Sequence, residues 1–134
     1  MTDENMTKLF DEGMKIRRSV LGDDYVDNAI SNMDDFSAPL QELVTEFCWG
    51  SIWTRDGLDK RTRSLLNIAM LSALNRPHEI KIHLKGAIRN GCTPEEIREV
   101  ILQIAVYCGV PAAIDTMKMA RQILTEENKL NDAK

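Results

Sequence analysis

The chain has 134 residues, 43% hydrophobic and 28% charged, a balance that suits one soluble domain with a sizeable core. Its net charge of −4 argues against general nucleic-acid binding, which relies on a basic stripe. No apolar run approaches the roughly 18 residues of a membrane span, and the opening MTDENMTKLF is too acidic for a secretory signal, so a cytoplasmic protein is expected.

Every predicted element is a helix, and no period-two alternation competes. The first covers about residues 5–20 and ends at Gly22. A shorter one runs from Asp24 to Met33, with Tyr25, Ala29 and Met33 on one face. Ser37 is the predicted N-cap of the next, with Pro39 just inside, and that helix reaches Trp53 before DGLD breaks it. Asp59 caps a helix that runs to about Asn75, where Arg76-Pro77 stops it. The following helix has Ile80, Leu84, Ala87 and Ile88 as its core face and ends at Asn90-Gly91. Thr93, Pro94 and Glu96 spell a capping box for the helix that runs to about Gly109. A last helix, from Ala112 to Glu127, precedes a polar tail expected to fray. The pattern predicts a single all-α domain of six or seven helices.

Two stretches, SLLNIAMLSAL at 64–74 and VILQIAVYCGVPAAI at 100–114, are apolar almost all round. A domain of this size hides one such helix easily, and two imply cover by another subunit, hence a homo-oligomer. Cys48, Cys92 and Cys108 form no CxxC motif, and His78 and His83 lack the spacing of a helical metal pair. Neither a metal nor a disulfide framework is expected.

The candidate chemistry starts at EFCWGSIWTRDGLDKRTRSLL, residues 46–66, which holds both tryptophans and the cations Arg55, Lys60, Arg61 and Arg63. Cations in a first helical turn oppose the helix dipole by roughly 0.3–1 kcal/mol each, so they have either acidic partners or an anion to bind. Arg63, Asn67 and Met70 follow one helix face, drawing a polar stripe into an apolar helix. Trp49 and Trp53 share a face that Glu46 joins, either as packing or as a flat wall for a ring-shaped ligand. His83 is read as lying off the apolar face of its helix, with Glu79 one turn before it to orient the imidazole or raise its pKa.

Taken in order, GMKIRRSVLGDDYVD, EFCWGSIWTRDGLDKRTRSLLNIAML and HLKGAIRNGCTPEEIREVILQIAVYCGVPAA resemble the 4-carboxymuconolactone decarboxylase family over roughly Gly13 to Ala120. The stretch around His83 and residues 93–113 also resembles the AhpD-like peroxidases. Their CxxC would fall at Arg76 and Glu79, so the dithiol is missing and peroxidase chemistry is not expected. The resemblance implies an AhpD-like helical fold, a trimer or hexamer, and decarboxylation without cofactor in protocatechuate degradation.

The implied substrate is a small dicarboxylate lactone, 4-carboxymuconolactone, and the implied product is 3-oxoadipate enol-lactone. One carboxylate leaves as CO2 while its electrons pass to the lactone carbonyl, so the substrate supplies its own electron sink. On this expectation Arg55, Arg61 and Arg63 hold anionic oxygens, and Trp49 and Trp53 wall the ring. His83 donates the proton, with Glu79 or Glu46 as its orienter. A non-catalytic small-acid-binding oligomer of the same fold, or a related cofactor-free enzyme acting on another lactone or β-keto acid, fits the same residues.

Overall fold

The computed structural model describes residues 3–131. Among these there are seven α-helices, one π-helix and no strand, so the protein is all-α as its sequence predicts. The helices form two compact units that divide between Asp59 and Lys60. None of the helices is long and apolar enough to cross a membrane.

The first unit opens with α1, Asp3–Leu21, which buries Gly13, Arg17 and Val20 on one face. Gly22, at φ 91°, ends it and leads into α2, Asp23–Ser31. The acidic first turn of α2 suits its dipole, and Arg18 of α1 binds Asp23 at 3.2 Å and Asp27 at 2.8 Å. Val26 is the residue that α2 buries; Tyr25 and Ala29 are half-buried and Met33 is exposed beyond the helix end. Ser37 precedes α3, Ala38–Leu43, but its side chain caps nothing there. It serves the preceding turn instead: Asp34 N donates to Ser37 Oγ at 3.1 Å, and Ser37 N donates to Asp34 Oδ1 at 2.9 Å. The Ser37 amide, and after it the Ser37 hydroxyl, hold the Asp34 carboxyl below its usual range.

The helix expected to run unbroken to Trp53 changes its winding. Val44–Ile52 is a π-helix, bonded five residues back, as in Trp53 N to Cys48 O at 3.1 Å. Ser51 Oγ also reaches five residues back, to Glu46 O at 3.2 Å. Two glycines let its backbone lie directly on α1. A Cβ on Gly50 would stand 2.5 Å from Leu9 O, and one on Gly13 would collide with Thr45 O and stand 2.8 Å from Gly50 N.

The second unit contains α4 (Lys60–Ala73), α5 (Pro77–Arg89), α6 (Pro94–Tyr107) and α7 (Val110–Glu126). Its core is Ile68 of α4, Ile80, Leu84 and Ala87 of α5, Ile97, Ile101 and Ile104 of α6, and Ala120, Ile123 and Leu124 of α7. A buried hydroxyl pair, Ser72 and Thr116 at 2.7 Å, joins α4 to α7. Helix ends follow local chemistry. The capping box forms, with Thr93 Oγ1 accepting from Glu96 N at 3.1 Å and Glu96 Oε1 from Thr93 N at 2.9 Å.

Three C-termini close in the same left-handed manner. Arg76 N bonds Leu71 O at 3.0 Å over Asn75 at φ 56°, Cys92 N bonds Ala87 O at 2.9 Å over Gly91 at φ 88°, and Lys129 N bonds Leu124 O at 2.7 Å over Asn128 at φ 60°. The last closure corrects the frayed tail: Leu130 turns back and packs on the core. Residues 132–134 of that tail lie outside the described residues.

Candidate active site

The candidate residues fall in two groups, one in each unit. In the first unit, Glu46, Trp49 and Trp53 all ride on the π-helix or its end, with Arg55 exposed in the turn that follows. The indoles stack on each other, ring centroids 4.8 Å apart and planes inclined by 27°, and both are buried. This is the geometry of packing, worth about 0.5–1.5 kcal/mol beyond the area buried. Glu46 is half-buried and lines a cleft of ≈ 640 Å³ together with Met6, Phe10, Met14, Arg17 and Gln41. That volume is within the range of small-ligand pockets.

Arg17, not anticipated from the sequence, is nine-tenths buried in that unit. Its Nη1 donates to Gln41 Oε1 at 3.0 Å and to Thr45 Oγ1 at 3.4 Å, tying α1 to α3 and the π-helix. The signal was available, because Arg17 occupies the same α1 face as Gly13 and Val20, where a charge needs acceptors when buried.

In the second unit, the first turn of α4 is anchored at several points. Asn90 Nδ2, at the end of α5, donates to Ser64 Oγ at 2.9 Å and to Lys60 O at 3.4 Å. Cys92 Sγ donates to Arg61 O at 3.6 Å. The Arg61 guanidinium meets Glu96, the capping-box carboxylate, within the same chain. The Thr93 amide, and after it the Arg61 contact, hold the Glu96 carboxyl below its usual range. Arg61 therefore has an acidic partner at the start of α6, the alternative its position allowed. Arg63 is half-buried one turn before Asn67 on α4.

His83 departs from expectation. It is buried, at 8% relative exposure, rather than lying off the packed face of α5. The physical reason is α4, which brings Asn67 to the imidazole: Asn67 Nδ2 lies 3.4 Å from His83 Nδ1. Glu79, one turn earlier, is exposed, and it does not raise the imidazole pKa. Burial pushes that pKa down from 6.5 to about 4, because desolvation disfavours the charged form. At neutral pH the ring is uncharged, with one nitrogen donating and the other accepting. His78, by contrast, is exposed at the start of α5.

This depression makes stability depend on pH. With a folded pKa of about 4 against 6.5, the unfolded chain binds the extra proton between those values, so stability is complete above pH 6.5 and falls as the pH drops toward 4. The full contribution is on the order of 3 kcal/mol. Urea unfolding at pH 7.5, 6 and 5 should show this slope, and a His83→Leu variant should lose much of the difference. An identical slope in both proteins would contradict it.

Among the described residues no three His, Cys, Asp or Glu side chains gather as metal ligands. What α4 and α5 bring together is the uncharged His83 imidazole and the Asn67 amide, with Arg63 one turn before Asn67 on α4. The fold is that of an all-helical protein. The chain belongs to the carboxymuconolactone decarboxylase family, whose model matches residues 38–122. It is 45% identical, over 92% of its length and 87% of the relative's, to the nitrosuccinic acid decarboxylase of Metarhizium robertsii. It is 38% identical, over 94% of its length and 92% of the relative's, to the 4-carboxymuconolactone decarboxylase of Acinetobacter baylyi. A shorter match, 42% over 41 residues, relates it to the 4-carboxymuconolactone decarboxylase of Pseudomonas putida.

Proposed function

We propose that this protein is a carboxy-lyase that decarboxylates a small dicarboxylic acid carrying its own electron sink, without metal or organic cofactor. The reading is carried by extensive similarity to two decarboxylases whose named substrates share that chemistry. In 4-carboxymuconolactone, the C–C bond to one carboxylate breaks and its electron pair passes through the ring double bond to the lactone carbonyl. In nitrosuccinate the pair passes to the nitro group. Each loses CO2, leaves a delocalised oxyanion, and takes up one proton at carbon. The second carboxylate is a handle.

For 4-carboxymuconolactone the product is 3-oxoadipate enol-lactone, and on that reading the protein would serve protocatechuate degradation. The 45% match to a nitrosuccinic acid decarboxylase makes nitrosuccinate the second reading. Incubating the purified protein with each acid and following CO2 tests both. Release no faster than the uncatalysed rate from either would overturn the proposal.

Catalysis requires contacts that strengthen in the transition state, so the useful donors face the oxygen where charge develops and not the departing carboxylate. A neutral His83 does not hold the spare proton of an imidazolium. It serves as an N–H donor to the developing oxyanion, and water supplies the proton that lands on carbon. Arg63 holds the retained carboxylate. With Arg61 engaged by Glu96 and the tryptophans stacked on each other, these three act as structural supports. Glu46 faces the cleft of the first unit, and Arg55 is exposed in the turn that follows the π-helix. Arg63→Ala should lower kcat/KM roughly 10-fold to 100-fold, the loss of a charge-assisted bond. Arg63→Lys should recover part of this, because the planar fork is gone. Full activity in the alanine variant would remove Arg63 from the site.

The protein is further proposed to work as a homo-oligomer, a trimer or hexamer. Leu66 and Met70 are exposed on α4 and Leu74 just past its end, and Leu102, Val106 and Val110 are exposed across α6 and the start of α7. Val106 is 77% exposed, which is costly for a continuous apolar face left in water. Light scattering should give a multiple of the 15.2 kDa chain, and Val106→Glu should shift it toward smaller species. A wild-type mass of one chain would refute the oligomer.

A further inference from the structure

Asn67 lies on α4 between Arg63 and Leu71, half-buried, with its amide nitrogen on the inner nitrogen of the His83 imidazole at 3.4 Å. A carboxamide NH2 is a donor and cannot accept. The ring nitrogen it meets must therefore offer its lone pair, and the single proton of the uncharged ring must sit on Nε2. Which ring nitrogen is protonated is set by the bond the other makes. A proton on Nδ1 would point one N–H at another.

We infer that Asn67 is a positioning residue for the decarboxylation proposed above: it fixes His83 as the Nε2–H tautomer and so makes that nitrogen the hydrogen-bond donor to the developing oxyanion. The inference rests on that functional reading for its catalytic half. The tautomer half rests on the Asn67–His83 contact between α4 and α5 and on the uncharged state of the buried ring.

The arrangement is held in place before any ligand arrives. The start of α4 and the end of α5 are pinned by Asn90, which bonds both Ser64 and Lys60. Leu84, the residue after His83, and Ile68, the residue after Asn67, are both packed in the core. Neither helix can slide or rotate freely, so the amide and the ring keep their register. A donor fixed in advance costs no reorganisation when charge develops, which is why such donors are effective. A carboxylate at position 67 would do the opposite. It accepts, so it would draw the proton to Nδ1 and leave Nε2 with no proton to donate.

The test uses nitrogen NMR of the imidazoles in the intact protein, without substrate. The chain has only His78 and His83, and His78→Gln leaves a single ring to observe. At pH 7 the ring should show a protonated Nε2 and an unprotonated Nδ1. Asn67→Asp should invert that pattern, and Asn67→Leu should give a mixture. In the same variants kcat should fall roughly 10²-fold for Asn67→Asp, with KM changed only a few-fold, and less for Asn67→Leu. A protonated Nδ1 in the parent, an unchanged tautomer in both variants, or full kcat in Asn67→Asp would each overturn the inference. If the tautomers behave as stated but the parent releases no CO2 from either acid, the functional reading fails and the Asn67–His83 assignment stands.

Discussion

Replacing His83 by Leu is expected to lower kcat about 10²–10³-fold, the cost of removing one positioned donor to an oxyanion. Leucine is the informative choice because the site is buried: alanine would open a cavity and confuse chemistry with stability. His83→Gln adds a second measurement, since its amide supplies an N–H but no titratable proton. If His83 acts as a neutral donor, Gln should recover part of the lost rate. If it acts as an imidazolium acid, Gln should be as poor as Leu.

The pH profile separates the same alternatives. A ring with a pKa of about 4 is uncharged throughout the neutral range, so kcat/KM, which reports on the free enzyme, should show no step near 6.5. A fall in rate as the pH rises through 6.5, together with an inactive Gln variant, would restore the proton-donor role. Near-normal kcat in a folded Leu variant would remove His83 from the chemistry altogether.

Much of the fold was legible because the chain is punctuated by residues with one local meaning. Gly22, Pro77, the Thr93–Glu96 box and Gly109 each end or begin a helix where expected. The family motifs also stood out, since WGSIWTR with GLDKRTRSLL is a specific string. What stayed hidden depends on contacts between helices. His83 looks peripheral when α5 is read alone, and only α4 shows that its face is covered. Arg61 reads as an anion ligand until Glu96 arrives from the start of α6. Asn75 and Asn128 take the left-handed closure that glycine usually signals, a conformation asparagine tolerates but does not announce. The π-helix was invisible for a different reason. Trp49 and Trp53 share a face at four-residue spacing in either winding, so the apolar pattern does not tell the two apart.

The contact that accompanies this winding leads to the second large effect: Gly13→Ala should destabilise the first unit by about 3 kcal/mol or more, at or beyond the upper end of ordinary overpacking. The added methyl would meet the carbonyl oxygen of Thr45 and the amide nitrogen of Gly50, both backbone atoms of the π-helix. No flexible side chain is there to move aside. Relief requires α1 to lift from the π-helix, and that pulls Arg17 away from Gln41 and Thr45, leaving a buried guanidinium to lose its acceptors as well. Gly50→Ala should behave alike, because its methyl would press on Leu9 O from the other side of the same contact. Gly57→Ala is the control, with no atom within 4 Å of its added carbon. Both tryptophans of the chain sit at this π-helix, so indole fluorescence during urea unfolding reports the unit directly. The Gly13 and Gly50 variants should unfold at clearly lower urea than the parent, and Gly57→Ala should match it. A Gly13→Ala protein within about 0.5 kcal/mol of the parent, the range of an ordinary surface change, would mean that the two backbones do not touch as the structure has them.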